Sequence, residues 1–226
     1  MKIANIDIAI QKSERKTVSI FIERDGSVSA RVPQKLKDEE IENILKAKEY
    51  QIFKNLAEWE QLNANAVERE YVNGQSFLYA GRNYRLKLVD ENFGELRFVK
   101  NTFLLSKQQK HKAKELFVQF YKDKLTIKMH PIIERYKNQL GVKPNQIKIM
   151  ELQNRWASCT SNGHVNFHWK CAMAPIDVLH YIVVHELAHL IHNNHTQAFW
   201  NEVDKILPNY QEQVNWLKIN GVGMDL

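Results

Sequence analysis

Long apolar runs are missing from this sequence of 226 residues. No stretch approaches the roughly 18 to 20 consecutive apolar residues that a membrane-spanning helix needs. The first residues mix apolar and polar side chains, without the apolar core and small-residue cleavage site of a secretory signal. We therefore exclude a membrane-spanning protein and expect a cytoplasmic one.

Cysteine, proline and glycine are also scarce, with 2, 5 and 8 residues. So few prolines and glycines argue against long flexible linkers. Cys159 and Cys171 are too few for a disulfide scaffold, and in the cytoplasm we expect both to be reduced thiols. Hydrophobic residues make up 44% and charged residues 26%, which is typical of a globular protein with its own core.

Acidic residues are sparse in the segment 107–148, which holds eleven Lys or Arg residues and three acids. Its excess of +8 is larger than the net charge of the whole chain, +6. Such a segment is typical of a solvated helix face. The alternative is a surface for an anionic partner, either a nucleotide or a nucleic acid.

The chain before residue 150 alternates between strand and helix patterns. A hairpin is predicted over residues 17–32, with its turn at 24–27, and a half-buried sheet over residues 71–105. Between them, residues 38–62 have helical spacing, and residues 107–140 have it again. The boundary between a strand-rich part and a helical part therefore falls near residue 106.

Histidine is absent from the first 110 residues, and three polar residues interrupt a very apolar helical stretch further on. Polar side chains inside such a helix are costly unless they are paired or bound. His185 and His189 are four residues apart, so they share one helix face and can converge on one ion. Zinc accepts imidazole nitrogen, and a catalytic zinc takes three protein ligands plus water. Glu186 projects beside the ion, where a base for the bound water belongs.

The third zinc ligand requires a reversal of the chain. Asn193 and Asn194 tolerate the left-handed conformation that ends helices, and Thr196 is predicted to cap the next helix. His195 is then presented from a different direction, which completes a tetrahedron more easily. His192 is the rival third ligand, three residues after the second histidine, and we favour His195.

Several short motifs lie between residues 150 and 217: Arg155-Trp156-Ala157-Ser158-Cys159, Val165-Asn166-Phe167-His168-Trp169, Ala174-Pro175, residues 181–189, Asn194-His195-Thr196, Phe199-Trp200, Leu207-Pro208 and Trp216-Leu217. With these motifs the chain resembles the YgjP-like (DUF45) metallopeptidase family, which is related to the SprT and WLM zinc proteases. Residues 71–84 resemble the N-terminal region of that family more weakly.

The resemblance implies a zinc site at His185, His189 and His195, with Glu186 as the catalytic residue. It also implies a compact peptidase-like core with an edge strand beside the zinc helix. The spacing of the three histidines equals that of metzincins. However, His192 occupies the position of their turn glycine and no Met-turn is identifiable, so we do not assign the chain to them.

Two residues depart from the family pattern. Ala157 stands where the family has Gly, and His168 stands where Asn is common. Near them, Arg155, Asn166 and His168 are candidates to hold substrate or an oxyanion, with a structural role as the alternative for each.

We therefore predict an α+β fold with a strand-rich N-terminal domain, residues 1–106, and a zincin-like metallopeptidase domain of helices and a small sheet, residues 107–226. The predicted activity is zinc-dependent hydrolysis of a peptide or protein. Zinc would lower the pKa of its bound water toward about 7, and Glu186 would take the proton and pass it to the leaving amine.

Three alternatives use the same centre. They are a metal-dependent nucleotide pyrophosphohydrolase, a nucleic-acid-associated protease and a non-enzymatic module that zinc stabilises. The position of Glu186 argues against the last, because a purely structural site has no use for a base.

Overall fold

The computed structural model describes residues 1–23, 26–63, 69–152, 155–221 and 223–226. The chain divides into two compact units, Met1–Ala66 and Val67–Leu226. The predicted turn at residues 24–27 lies partly outside the described residues. The mixture of small sheets and helices confirms the predicted α+β class.

The first unit is a four-stranded sheet followed by two helices: β1 Lys2–Ile3, β2 Ile6–Ser13, β3 Ser19–Ile22, β4 Val28–Pro33, α1 Asp38–Ala47 and α2 Glu49–Asn63. The strand order is β1-β2-β4-β3. The central pair, β2 and β4, is parallel, and both outer pairs are antiparallel. Buried aliphatic side chains from the sheet and both helices form the core of this unit.

The single helix predicted over residues 38–62 is two helices. Lys48 separates them with φ −104° and ψ 5°, outside the helical range. Its N–H donates to the carbonyl of Leu45, a tighter bond than that of an α-helix. The apolar spacing continues across this break, which is why the spacing did not show it.

The second unit begins with another four-stranded sheet and continues with a long helix: β5 Ser76–Tyr79, β6 Arg82–Val89, β7 Arg97–Val99, β8 Thr102–Ser106 and α3 Ala113–Leu140. The order β5-β6-β8-β7 repeats that of the first sheet, again with a parallel central pair. A 3-10 turn, Lys107–Lys112, leads into α3, and Gly141 ends it with φ +65°.

The rest of the second unit holds a three-stranded sheet and three helices: β9 Gln146–Met150, β10 Ala157–Cys159, β11 His164–His168, α4 Ile176–Ala188, α5 Gln197–Ile206 and α6 Tyr210–Asn220. The sheet order is β10-β11-β9, so β10 is an edge strand of this sheet. Helix α4 packs against α3, α5, α6 and β10. Among the helices of the described chain, none has both the length and the apolar character needed to cross a bilayer.

The division between the two units differs from the predicted boundary at residue 106. Strands β5 to β8 share one core with the helices that follow them. The ring of Phe117 on α3 stacks on Phe77 at 4.2 Å between centroids and contacts Phe103 at 5.1 Å. This aromatic packing joins residues 76–106 to the second unit.

The tip of the β5–β6 hairpin contacts the segment that leads into α4. Ala80 N–H donates to the carbonyl of Ala172 at 3.0 Å, and Gly81 N–H donates to that of Met173 at 2.8 Å. Gly81 has φ +79°, and a Cβ there would lie 2.7 Å from Cγ of Pro175. Glycine therefore allows the hairpin to approach the start of α4 closely.

Candidate metal centre

Helix α4 carries the first part of the site within the core. Pro175 occupies the N-cap position, where its missing N–H costs no helical hydrogen bond. Val183, Val184 and Leu187 have no exposed surface, and burial of each such side chain stabilises the fold by roughly 1.5 to 3 kcal/mol. This packing fixes the position of the helix that carries His185 and Glu186.

The chain reverses between α4 and α5. His189 is the C-cap residue of α4, and the main chain leaves the helix after it. Thr196 is the N-cap of α5, and its side-chain oxygen accepts a hydrogen bond from Phe199 N–H at 3.5 Å, as predicted. His195 lies immediately before this cap, so the start of α5 determines its position.

The reversal brings His185, His189 and His195 together. One potential ligand atom from each lies within 4.8 Å of the other two. The Nε2 atoms of His185 and His195 are 2.9 Å apart. The first two histidines are half-buried and His195 is exposed. His192 does not belong to this group, but its carbonyl lies 3.0 Å from Nδ1 of His189.

Hydrogen bonds orient two of these rings. Because a carbonyl only accepts, Nδ1 of His189 donates to His192, and its Nε2 is left with a lone pair. The hydroxyl of Tyr181 lies 3.2 Å from Nδ1 of His185. Such second partners fix the tautomer and orientation of metal-binding histidines. This role of Tyr181 was not predicted from the sequence, although its spacing, four residues before His185, is the signal for a shared helix face.

Aromatic side chains pack against the three imidazoles. The buried ring of Phe199 lies 5.0, 4.6 and 4.8 Å from the rings of His185, His189 and His195. Trp200 stacks on His195 at 5.6 Å with an interplanar angle of 25°. Phe199 is buried and Trp200 is half-buried, and both restrict the motion of the histidine rings.

The electrostatics of the cluster favour neutral imidazoles. Burial, and then the nearby His189 and His195, lower the pKa of His185 to about 3. Burial and then His189 also lower the pKa of His195. Both groups are therefore uncharged at neutral pH, and only the uncharged ring has a lone pair for a metal. Imidazoles that converge in this way suit a transition-metal ion.

Glu186 lies on α4 next to the first histidine and is only 7% exposed. Burial raises the pKa of its carboxyl to about 8, and the positive charge of Arg155 opposes this increase. Cys159 on β10 is half-buried, and burial, followed by the charge of Glu186, raises the pKa of its thiol. Among the described residues, the group of potential ligands does not include this thiol.

The remaining residues named from the sequence have distinct surroundings. His168 is fully buried: its Nδ1 accepts from Lys170 N–H at 3.0 Å, and its Nε2 lies 3.1 Å from Glu151. Asn166 donates to Ser158 at 3.4 Å. These contacts give His168 and Asn166 structural partners within their own sheet region.

The basic segment 107–148 is partly neutralised by ion pairs. Lys107 pairs with Asp90 at 2.8 Å, and Lys137 pairs with Glu134 at 2.7 Å. Eight of its eleven basic residues are exposed and the other three are half-buried, as the solvated-face interpretation predicts.

A cluster of three imidazoles beside a buried carboxyl group is the kind of site that metallohydrolases use. Residues 16–220 match the model of the YgjP-like family, metallopeptidase domain. Because this match spans most of the sequence, the chain belongs to the YgjP-like metallopeptidase family. The family confirms the predicted resemblance and defines a hydrolase that uses a metal and acts on a peptide or protein.

Two solved structures are similar to part of this chain. The metallopeptidase zymogen abylysin of Pyrococcus abyssi is 26% identical, over 38% of this chain and 89% of its own, with a TM-score of 0.36. The metallopeptidase zymogen jannalysin of Methanocaldococcus jannaschii is 22% identical, over 41% of this chain and 94% of its own, with a TM-score of 0.33. The comparison with curated proteins found no match.

The family assignment adds no support for a nucleotide or a nucleic acid as a partner. The predicted relation to the SprT and WLM proteases stays a prediction.

Proposed function

We propose that this chain is a zinc-dependent peptidase in which His185, His189 and His195 hold the metal and Glu186 is the general base. The observation that supports this most directly is the grouping of three potential histidine ligands within 4.8 Å, next to a buried carboxylate on the same helix. Three protein ligands leave one position of a tetrahedral zinc ion open, which is the pattern of catalytic rather than structural sites.

The chain supplies the ligands, and the ion, when bound, supplies a Lewis acid that polarises a carbonyl and makes water more acidic. Glu186 accepts a proton from the attacking water as the water oxygen bonds to the carbonyl carbon of the substrate. It then delivers that proton to the amide nitrogen as the carbon–nitrogen bond breaks. Without an ion, burial raises the pKa of this carboxyl to about 8, and the positive charge of a bound divalent ion would favour the ionised form that accepts the proton.

The surroundings of the histidines keep the site ready for this chemistry. Tyr181 and the carbonyl of His192 contact the outer nitrogens of two rings, and Phe199 packs against all three. The rings therefore need little rearrangement when the ion enters, which lowers the entropic cost of binding.

The test combines metal analysis with cleavage of denatured casein by wild type and by Glu186→Gln. We expect about one zinc per chain in both proteins and at least about a 100-fold lower cleavage rate in the variant, since a general base contributes roughly 10² to 10⁴. His185→Ala should lose the zinc. Glu212→Gln, which removes an exposed carboxylate on α6, is the matched control and should behave as wild type.

The same proteins separate the alternatives. Turnover of a nucleotide that is lost in Glu186→Gln, together with no proteolysis, would replace the peptidase proposal with the pyrophosphohydrolase. Stoichiometric zinc without activity in wild type, and with loss of stability on chelation, would identify a structural zinc module.

A further inference from the structure

The segment before β10 holds an exposed cation, Arg155, near the helix that carries the candidate metal centre. Arg155 lies two residues before β10, the edge strand that packs against α4. Its side chain is exposed, and within the described part of the chain it makes no hydrogen bond or ion pair. An arginine that is not committed to a structural partner is available to a ligand.

The main chain next to Arg155 is held in place. The carbonyl of Trp156 accepts hydrogen bonds from His168 N–H at 2.7 Å and from the Cys171 thiol at 3.3 Å. The ring of Trp156 packs near the His168 ring, with 6.4 Å between centroids. The backbone from which the Arg155 side chain extends is therefore held in place, whereas its guanidinium is not.

The contacts between β10 and α4 place Arg155 near the candidate metal centre. Arg155 precedes this strand by two residues, and Ala157, the first residue of the strand, is buried. The charge of Arg155 acts on the Glu186 carboxyl, and the charge of Glu186 acts on the Cys159 thiol. The segment from Arg155 to Cys159 therefore passes close to Glu186.

We propose that the guanidinium of Arg155 donates hydrogen bonds to the carbonyl oxygen of the scissile peptide bond as that oxygen gains negative charge. This inference rests on the proposed function. Of the three oxyanion candidates named from the sequence, it selects Arg155, because His168 and Asn166 form hydrogen bonds within the protein. Donors to a developing oxyanion act mainly on the transition state, and each contributes roughly 10²- to 10³-fold to kcat.

The test compares wild type, Arg155→Gln, Arg155→Lys and Arg85→Gln in their zinc-loaded forms. The substrate is an internally quenched peptide built on a casein site that wild type cleaves. The second probe is the same peptide with a phosphinate in place of the scissile amide, since this group imitates the tetrahedral oxyanion. Arg85→Gln removes an exposed arginine of β6 and is the matched control.

We expect Arg155→Gln to lower kcat about 100-fold, in line with the loss of one oxyanion donor, and to change KM by less than about threefold. Its affinity for the phosphinate peptide, measured by calorimetry, should fall by a similar factor, while its zinc content stays unchanged. Arg155→Lys should recover part of both losses, and Arg85→Gln should match wild type.

Two results overturn the inference while leaving the proposed function intact. In the first, Arg155→Gln keeps the kcat of wild type although Glu186→Gln is inactive. In the second, only KM rises, and only for peptides with a free terminal carboxylate, which would make Arg155 a recognition residue for that group. If zinc-loaded wild type neither cleaves casein nor binds phosphinate analogues of casein peptides, the proposed function and this inference fail together.

Discussion

Replacement of Gly81 by alanine tests whether the β5–β6 hairpin supports the start of α4. Two costs are expected. An alanine at φ +79° costs roughly 1 to 2 kcal/mol, because its Cβ meets the local backbone. The same Cβ would also lie 2.7 Å from Cγ and 3.1 Å from Cα of Pro175, and relief of such overpacking costs a further 1 to 3 kcal/mol, roughly.

Gly74→Ala is a control that carries only the first cost. Gly74 has a similar φ, +85°, but nothing lies within 4 Å of its added Cβ. The difference between the two variants therefore measures the contact with Pro175 alone. We expect Gly81→Ala to be less stable than Gly74→Ala by about 2 kcal/mol, which corresponds to about 4 to 8 °C in Tm for a protein of this size.

The assay is thermal unfolding followed by circular dichroism on metal-free protein, since bound metal would raise Tm by mass action. Zinc affinity is measured in parallel, because a displaced Pro175 moves the first turn of the helix that carries His185 and Glu186. We expect weaker zinc binding in Gly81→Ala and unchanged binding in Gly74→Ala. Equal Tm losses in the two variants would refute the close approach of the hairpin to α4.

Two further predictions concern the histidine cluster. Tyr181→Phe removes the hydroxyl next to Nδ1 of His185 and should weaken zinc binding by about 10-fold without a change in fold. Competition with a chromophoric chelator measures this affinity. An unchanged Kd would contradict the orienting role of Tyr181. In metal-free protein, His185 has a pKa of about 3 when folded, below its usual value when unfolded, so its contribution to stability is complete above about pH 6.5 and is lost as the pH falls toward 3. In urea titrations, the free energy of unfolding should depend more steeply on pH in wild type than in His185→Asn, by up to about 1.4 kcal/mol per pH unit. Parallel curves for the two proteins would contradict the lowered pKa.

The candidate site follows from local rules to a large extent. Helical spacing places His185 and His189 on one face, and the cap at Thr196 locates the start of the helix that follows His195. These rules act over a few residues, so the sequence alone expresses them. The ligand roles of the three histidines and the role of Glu186 remain predictions that the proposed experiments test.

Long-range packing was less accessible to sequence analysis. The inclusion of strands β5 to β8 in the second unit depends on the stacking of Phe77 on Phe117, residues that are far apart in the chain. The alternation of apolar and polar residues along the strand shows that Phe77 is buried, but it does not show which helix packs on it. In the same way, the three ring contacts of Phe199 arise from a chain reversal, which periodicity does not describe.

The order in which the elements occur along the chain has a consequence for biosynthesis. Each four-stranded sheet is built from consecutive strands, and in each the last strand closes the central parallel pair. Since folding units form as they leave the ribosome, a nascent chain can complete the first unit before the three histidines are translated. If these histidines bind a metal as proposed, its loading is one of the last events in the maturation of this protein.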